Sequence, residues 1–145
     1  MITIIQRVTR ASVSIAGTEV GKIERGIMAL IAIEKNDTEK SAHRLLERIL
    51  NYRIFPDNDD RMNLNLKAIQ GGLLLVPQFT LAADTNSGNR PSFTPAATPE
   101  KGEQLFNCLV THAKEFYPMT ETGRFGADMQ VSLLNDGPVT FTLTV

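Results

Sequence analysis

Apolar and polar residues alternate with a period of two at the end of the chain. Val139, Phe141, Leu143 and Val145 interleave with Thr140, Thr142 and Thr144. Upstream, Met129, Val131 and Leu133 interleave with Gln130, Ser132 and Leu134. Each run reads as a strand with one buried face. Between them Asn135-Asp136-Gly137-Pro138 supplies turn residues, so Gln130–Val145 is expected to form a hairpin of two strands. Pro138 is unusual directly after the turn glycine, because it removes a ladder donor and makes a cis bond accessible.

The same reading applied from the start predicts strand over Ile2–Arg10 and Ala11–Ile15, a turn at Gly17-Thr18, and a return arm over Glu19–Ile23. Gly26 breaks the pattern. Ile27–Ile33 is an almost unbroken apolar run, the mark of a strand buried on both faces. The period then changes. Ala42, Leu45, Leu46, Ile49 and Leu50 make one helical stripe, with Asp37 or Thr38 as N-cap and an end near Asn51. Tyr52–Phe55 reads as a short strand stopped by Pro56, Asp57–Asp60 as a loop, and Leu64–Ile69 as one helical turn. Leu73–Val76 is a second buried strand, leading to Gln78 and Thr80, which face the same way if the chain stays extended. Ala82–Thr98 is long, irregular and rich in turn residues, and loops of that length tend to be functional. Thr98-Pro99 opens a helix with an N-cap and a proline in first position. Its buried stripe is Leu105, Phe106, Leu109, Val110 and Ala113, and Pro118 stops it. Two helices among about seven or eight strands place the chain in the α+β class, with a curled, mixed sheet or open barrel.

Composition adds bounds. With 145 residues, 42% hydrophobic and 21% charged, residues 1–145 read as a single domain. There is no apolar run of about 18 residues, and the first ten residues lack the apolar core of a signal peptide. The single cysteine, Cys108, has no internal partner, so the default location is cytoplasmic. A net charge of -1 argues against wrapping a long duplex, but not against gripping one single-stranded end.

Candidate chemistry is sparse. His43 and His112 stand in no metal-ligand spacing and lie on polar sides of helices, so neither a metal site nor a Ser-His-Asp triad is expected. No phosphate-binding glycine loop is present, and no cofactor is expected. Cys108 reads as packing. Thr80 has two readings, a nucleophile or a strand-end threonine satisfying its own backbone. A threonine nucleophile needs an activating base, and none stands near it in the sequence.

Several segments together carry a resemblance: QRVTRASV near the start, NYRIF, MNLN, PQFTL, RPSF, TGRFGADMQVSL and NDGPVTF. In this order they resemble the D-aminoacyl-tRNA deacylases, over the whole chain. Pro77 departs from the pattern, which usually has serine before the glutamine. The resemblance implies a barrel-like homodimer that hydrolyses the ester between a D-amino acid and tRNA, with its active site at the subunit interface. It implies no metal and no membrane. It assigns Gln78, Phe79 and Thr80 to catalysis, largely through main-chain groups and the 2′-hydroxyl of the substrate. It also implies that the Gly137-Pro138 bond is cis, and that this pair enters the active site of the other subunit. There its carbonyls accept from the α-ammonium, and its bulk rejects L side chains while passing D residues and glycine. Arg7 is implied to hold that loop, and Phe125 and Met129 to receive the terminal adenine. The competing readings are an RNA-end-binding module without turnover and a generic small-molecule esterase or thioesterase.

Overall fold

The longest strand sets the frame. In the computed structural model, which describes all 145 residues, β1 (Ile2–Ile15) turns at Ala16-Gly17 and returns as β2 (Thr18–Ile23) and β3 (Gly26–Ala32). The two are halves of one arm: Ala11 pairs Ile23, Val8 pairs Gly26, and Ile2 pairs Ala32. The arm bends at Glu24-Arg25, where the backbones come closest. A Cβ on Gly26 would stand 1.9 Å from the carbonyl oxygen of Gly72, a contact that no side chain can enter.

After β3 come α1 (Glu39–Asn51), the small antiparallel pair β4 (Phe55–Pro56) and β5 (Met62–Leu64), and β6 (Gly72–Pro77). A 3₁₀ turn (Phe79–Ala82), α2 (Pro99–Phe116), β7 (Thr120–Thr122) and β8 (Gln130–Thr144) follow. Strands β3, β6 and β7 run parallel to one another, while β1 pairs antiparallel with β2, β3 and β8. The sheet is therefore mixed. It curls until β2 meets β7: a Cβ on Gly21 would lie 2.8 Å from the Thr122 carbonyl oxygen.

The curl creates two cores, which is why β3 and β6 are apolar without alternation. Ile27, Ala29, Ile31, Leu73 and Leu75 pack outward against the helices. Met28, Leu74 and Val76 point into the curl with Val8, Ala11, Val13 and Ile23. The helices fit the expected stripes. Thr38 and Ser41 form a capping box at α1, which buries Ala42, Leu45, Leu46, Ile49 and Leu50. Thr98 caps α2 with Pro99 in its first turn, and Leu105, Phe106, Leu109 and Ala113 are buried, while Val110 is only half-buried at the edge of the stripe.

Leu64–Ile69 makes the single turn expected of it: Ile69 N–H bonds to the Asn65 carbonyl at 3.4 Å, Asn65 Oδ1 accepts from Ala68 N–H at 2.9 Å, and Gln70 closes it at a positive φ of 52°. Two other expectations need correction. Tyr52–Phe55 is not a strand; only Phe55 and Pro56 pair, with β5. Most consequentially, Gln130–Val145 is not a hairpin. It is one strand, β8, whose two halves both pair with β1 in the same direction. From Asn135 to Thr140 the chain leaves the ladder while β1 advances only from Val8 to Gln6. Asn135 fastens this excursion: its Oδ1 accepts from Val139 N–H at 2.9 Å, and its Nδ2 donates to Thr140 Oγ1 at 2.9 Å. The turn residues produce a bulge and not a reversal.

Tyr117, just after α2, locks the turn before β6. Its buried hydroxyl donates to the carbonyls of Leu66 and Gly71. Burial also pushes its phenol up. Replacing Tyr117 by Phe strands the Gly71 carbonyl, while the Leu66 carbonyl keeps its bond from Gly71 N–H, at an expected cost of about 1–3 kcal/mol in urea unfolding at neutral pH. Because the folded-state value is raised, this stabilisation is fully present below the unfolded value of about 10 and is lost as pH rises through the folded value. The gap between wild type and Tyr117→Phe should therefore shrink above that pH.

Candidate active site

The parallel strand β6 runs out at Pro77, level with Ile31 of β3. Gln78 makes one more ladder bond, donating its N–H to the Ile31 carbonyl at 2.7 Å. The chain then coils into the 3₁₀ turn, where Leu81 N–H bonds back to Gln78 O at 3.2 Å and Ala83 N–H to Thr80 O at 3.1 Å. At such a start the first N–H groups have no acceptor within the coil. Those of Phe79 and Thr80 make no hydrogen bond within the chain. Gln78 and Thr80 do not share a face of an extended strand, as the alternation would have it. They still meet, because Gln78 Nε2 donates to Thr80 Oγ1 across the turn.

Beside this turn lies a cleft of about 470 Å³. Pro77, Gln78 and Phe79 line one side, and Phe125 and Met129 line the other. Small residues, Ala97, Gly102 and Ala127, leave the room between. Gly102 is one of them for a clear reason: a Cβ there would reach 2.9 Å from Phe125 Cζ. Met129 is set by the short Gly123–Asp128 loop, its sulfur accepting from Arg124 N–H at 3.4 Å. No lining side chain is charged. A cleft of this kind suits a flat, neutral ring. Its small lining residues carry no signature along the chain and went unread in the sequence.

The other candidates lie elsewhere. Gly137 and Pro138 are exposed on the β8 excursion, joined by a cis peptide bond. Arg7, mostly buried, spans the gap in the ladder beneath them. Its Nε donates to the Asp136 carbonyl at 3.0 Å and lies 3.3 Å from the Asp136 carboxylate, while Nη1 donates to Ile54 O at 2.8 Å. The geometry thus joins Arg7 to the Gly137-Pro138 loop, and Gln78, Phe79 and Thr80 to Phe125 and Met129. It does not bring the two groups together. β1 and β3 lie between their strands in the sheet, and neither Gly137 nor Pro138 lines the cleft.

No side-chain base stands at the turn. His43 and His112 stack on each other at 3.9 Å, joining α1 to α2. Cys108 lies 3.8 Å from His43 Nε2, and burial, then Glu39, push its thiol up, away from a reactive thiolate. No group of three His, Cys, Asp or Glu side chains is placed to hold a metal ion.

A main-chain donor pair beside an uncharged cleft is an arrangement that can stabilise an oxyanion next to a bound apolar group. Comparison with known proteins makes this specific. The model of the D-Tyr-tRNA(Tyr) deacylase family matches residues 4–144, and the chain belongs to that family. Similar proteins named D-aminoacyl-tRNA deacylase occur in Methylococcus capsulatus, 59% identical over 99% of this chain and 94% of that one, and in Pseudoalteromonas atlantica, 54% identical over the full length of both. The enzyme is thus a hydrolase of the D-aminoacyl-tRNA deacylase class. Among solved structures, one titled c-Myc DNA Unwinding Element Binding Protein matches with a TM-score of 0.95 and 37% identity, over 100% of this chain and 99% of that one. A probable eukaryotic D-amino acid tRNA deacylase shares the fold, with a TM-score of 0.88 at 14% identity, over 99% of this chain and 98% of that one.

The Thr80 hydroxyl is bound to Gln78 and faces no base, so Thr80→Ala should lose one hydrogen bond and no nucleophile. We expect a fall of about fivefold in kcat, the worth of roughly 1 kcal/mol. A covalent threonyl ester caught by rapid quench and mass spectrometry would contradict this.

Proposed function

We propose that the protein hydrolyses the ester bond of D-aminoacyl-tRNA, releasing the D-amino acid and tRNA, in the cytoplasm and as a homodimer. The observation that carries this is the pair of free N–H groups on Phe79 and Thr80 beside the cleft. In this reading the terminal adenine of the tRNA enters the cleft and is received by Phe125 and Met129. The ester carbonyl then lies at the 3₁₀ turn. When water attacks, negative charge grows on the carbonyl oxygen, and each preorganised N–H stabilises it by roughly 3 kcal/mol. An aminoacyl ester is already activated, so the neighbouring 2′-hydroxyl can assist the water without a side-chain base. Gln78 keeps Thr80, and hence its N–H, in place.

Chirality is read by main chain as well. Within one chain the Gly137-Pro138 excursion does not line the cleft, so in this reading the partner's Gly137 and Pro138 complete the site. Two observations support this. Both residues are exposed on a loop that Arg7 holds, and β8 pairs only on its β1 side, leaving a strand of 15 residues with an open edge. The partner's carbonyls accept from the α-ammonium and crowd the space where an L side chain would go. A D side chain points outward and is not read.

Deacylation of D-tyrosyl-tRNA is the decisive assay. Release of D-tyrosine is expected. Binding without release would indicate an RNA-end-binding module, and cleavage of simple esters alone a generic esterase. Light scattering at micromolar concentration should give twice the chain mass of 16.0 kDa; an active monomer would refute the shared site.

The steric account also sets an order among substrates. An L side chain forced into the carbonyl wall costs about 1–3 kcal/mol or more, and glycine has no Cβ to strike it. Glycyl-tRNA should therefore be hydrolysed measurably while L-alanyl-tRNA is spared at equal enzyme. Equal resistance of the two would mean that selection rests on positive contact with a D side chain.

A further inference from the structure

Residues Asp84–Thr94 form a closed lip that buries nothing of the fold. Every residue in it is exposed. It is nevertheless organised. Asp84 and Ser92 exchange backbone hydrogen bonds of 2.8 and 3.1 Å across its base. The Asp84 carboxylate accepts from Asn86 N–H and Asn86 Nδ2 at 3.0 and 2.7 Å. Ordering an exposed loop costs entropy that no core contact repays, so the sequence holds it for another purpose.

The lip presents two groups. Arg90 belongs to none of the four ion pairs of the chain. Phe93 is 42% exposed and packs against Phe79, itself 55% exposed, with ring centroids 5.1 Å apart. Phe79 is also a wall of the cleft. The lip thus continues the cleft, beginning where its uncharged lining ends. An apolar ring beside an unpaired guanidinium is the combination that holds a single strand, a base on the ring and a phosphate on the cation.

We infer that this lip is the docking surface for the single-stranded RNA just 5′ of the terminal adenosine, with Arg90 on a phosphate and Phe93 stacked on a base. The inference rests on the deacylase reading, which fills the cleft but leaves the polyanion unmatched: nothing in the cleft carries a positive charge. It also reconciles a chain of net charge -1 with an RNA substrate, since one local cation beside an uncharged site serves a short strand.

The test compares a long and a minimal substrate, D-tyrosyl-tRNA and 3′-O-D-tyrosyl-adenosine, which lacks everything the lip would hold. In Arg90→Ala the ratio of kcat/KM for tRNA to that for the adenosine ester should fall about tenfold. The slope of log kcat/KM for tRNA against log salt should flatten by about one. Arg90→Lys should recover most of the loss. Phe93→Ala should lower the ratio without changing the salt slope. Equal loss on both substrates would overturn the inference, because the lip would then only support Phe79. An unchanged ratio would overturn it as well, and so would a change of oligomeric state in Arg90→Ala, which would make the lip a subunit contact. Should the wild-type enzyme cleave neither substrate, the deacylase reading itself falls, an outcome distinct from all of these.

Discussion

Both edges of β1 are occupied along nearly its whole length, and the rest of the molecule is arranged around that saturation. One edge carries β2 and β3, in one register from Ile2 to Val13 with a shift before Ser14, and the other carries β8 from Thr144 back to Gln130. A strand paired on both sides cannot bend far by itself. Curvature is therefore concentrated where the return arm breaks, at Glu24-Arg25, and there Gly26 lets β6 come against the backbone. Two cores follow, one inside the curl and one beneath the helices. The parallel strand β6 then emerges between them at Pro77, which is where the donor pair and the cleft arise.

The ladder also explains what interrupts it. Where β8 leaves β1 between Asn135 and Thr140, Arg7 fills the opening and bonds the Asp136 carbonyl. Asn135 returns the chain to its partner. An excursion anchored at its base by a buried cation and at its neck by an amide is a rigid projection. Rigidity is what the proposed steric filter needs, because a wall that yields discriminates little.

Much of this was legible in the residues, and the failures have physical causes. The stripe through Ala42, Leu45, Leu46, Ile49 and Leu50 declares α1, since a period of 3.6 has no other use in so short a run. Thr98-Pro99 places the start of α2 because capping is local chemistry. The unbroken apolar runs of β3 and β6 announce burial on both faces. By contrast, Asn135–Pro138 reports only that the chain leaves a ladder. Whether it reverses or rejoins depends on β1, more than a hundred residues away. Tyr52–Phe55 has the composition of a strand, but only Phe55 and Pro56 find a partner, in β5. The site divides along the same line. Gln78, Phe79 and Thr80 are contiguous and can be found as a motif. The cleft unites Ala97, Gly102, Phe125 and Met129 from one helix and two loops, and only the fold brings these together.

The donors at the head of the 3₁₀ turn belong to the main chain, and this bears on inheritance. Every amino acid except proline carries an N–H in its backbone. A codon change at Phe79 or Thr80 can alter a wall or a hydroxyl, yet it leaves the donor itself in place. The exposed projection at Gly137-Pro138 likewise offers carbonyls that every residue possesses. What mutation can readily destroy is the path of the chain, through Arg7, Asn135 or Gly26, and not these main-chain groups themselves. Loss of function in such an enzyme should therefore accumulate at buried positions remote from the chemistry, and the lesions should show themselves first as misfolding.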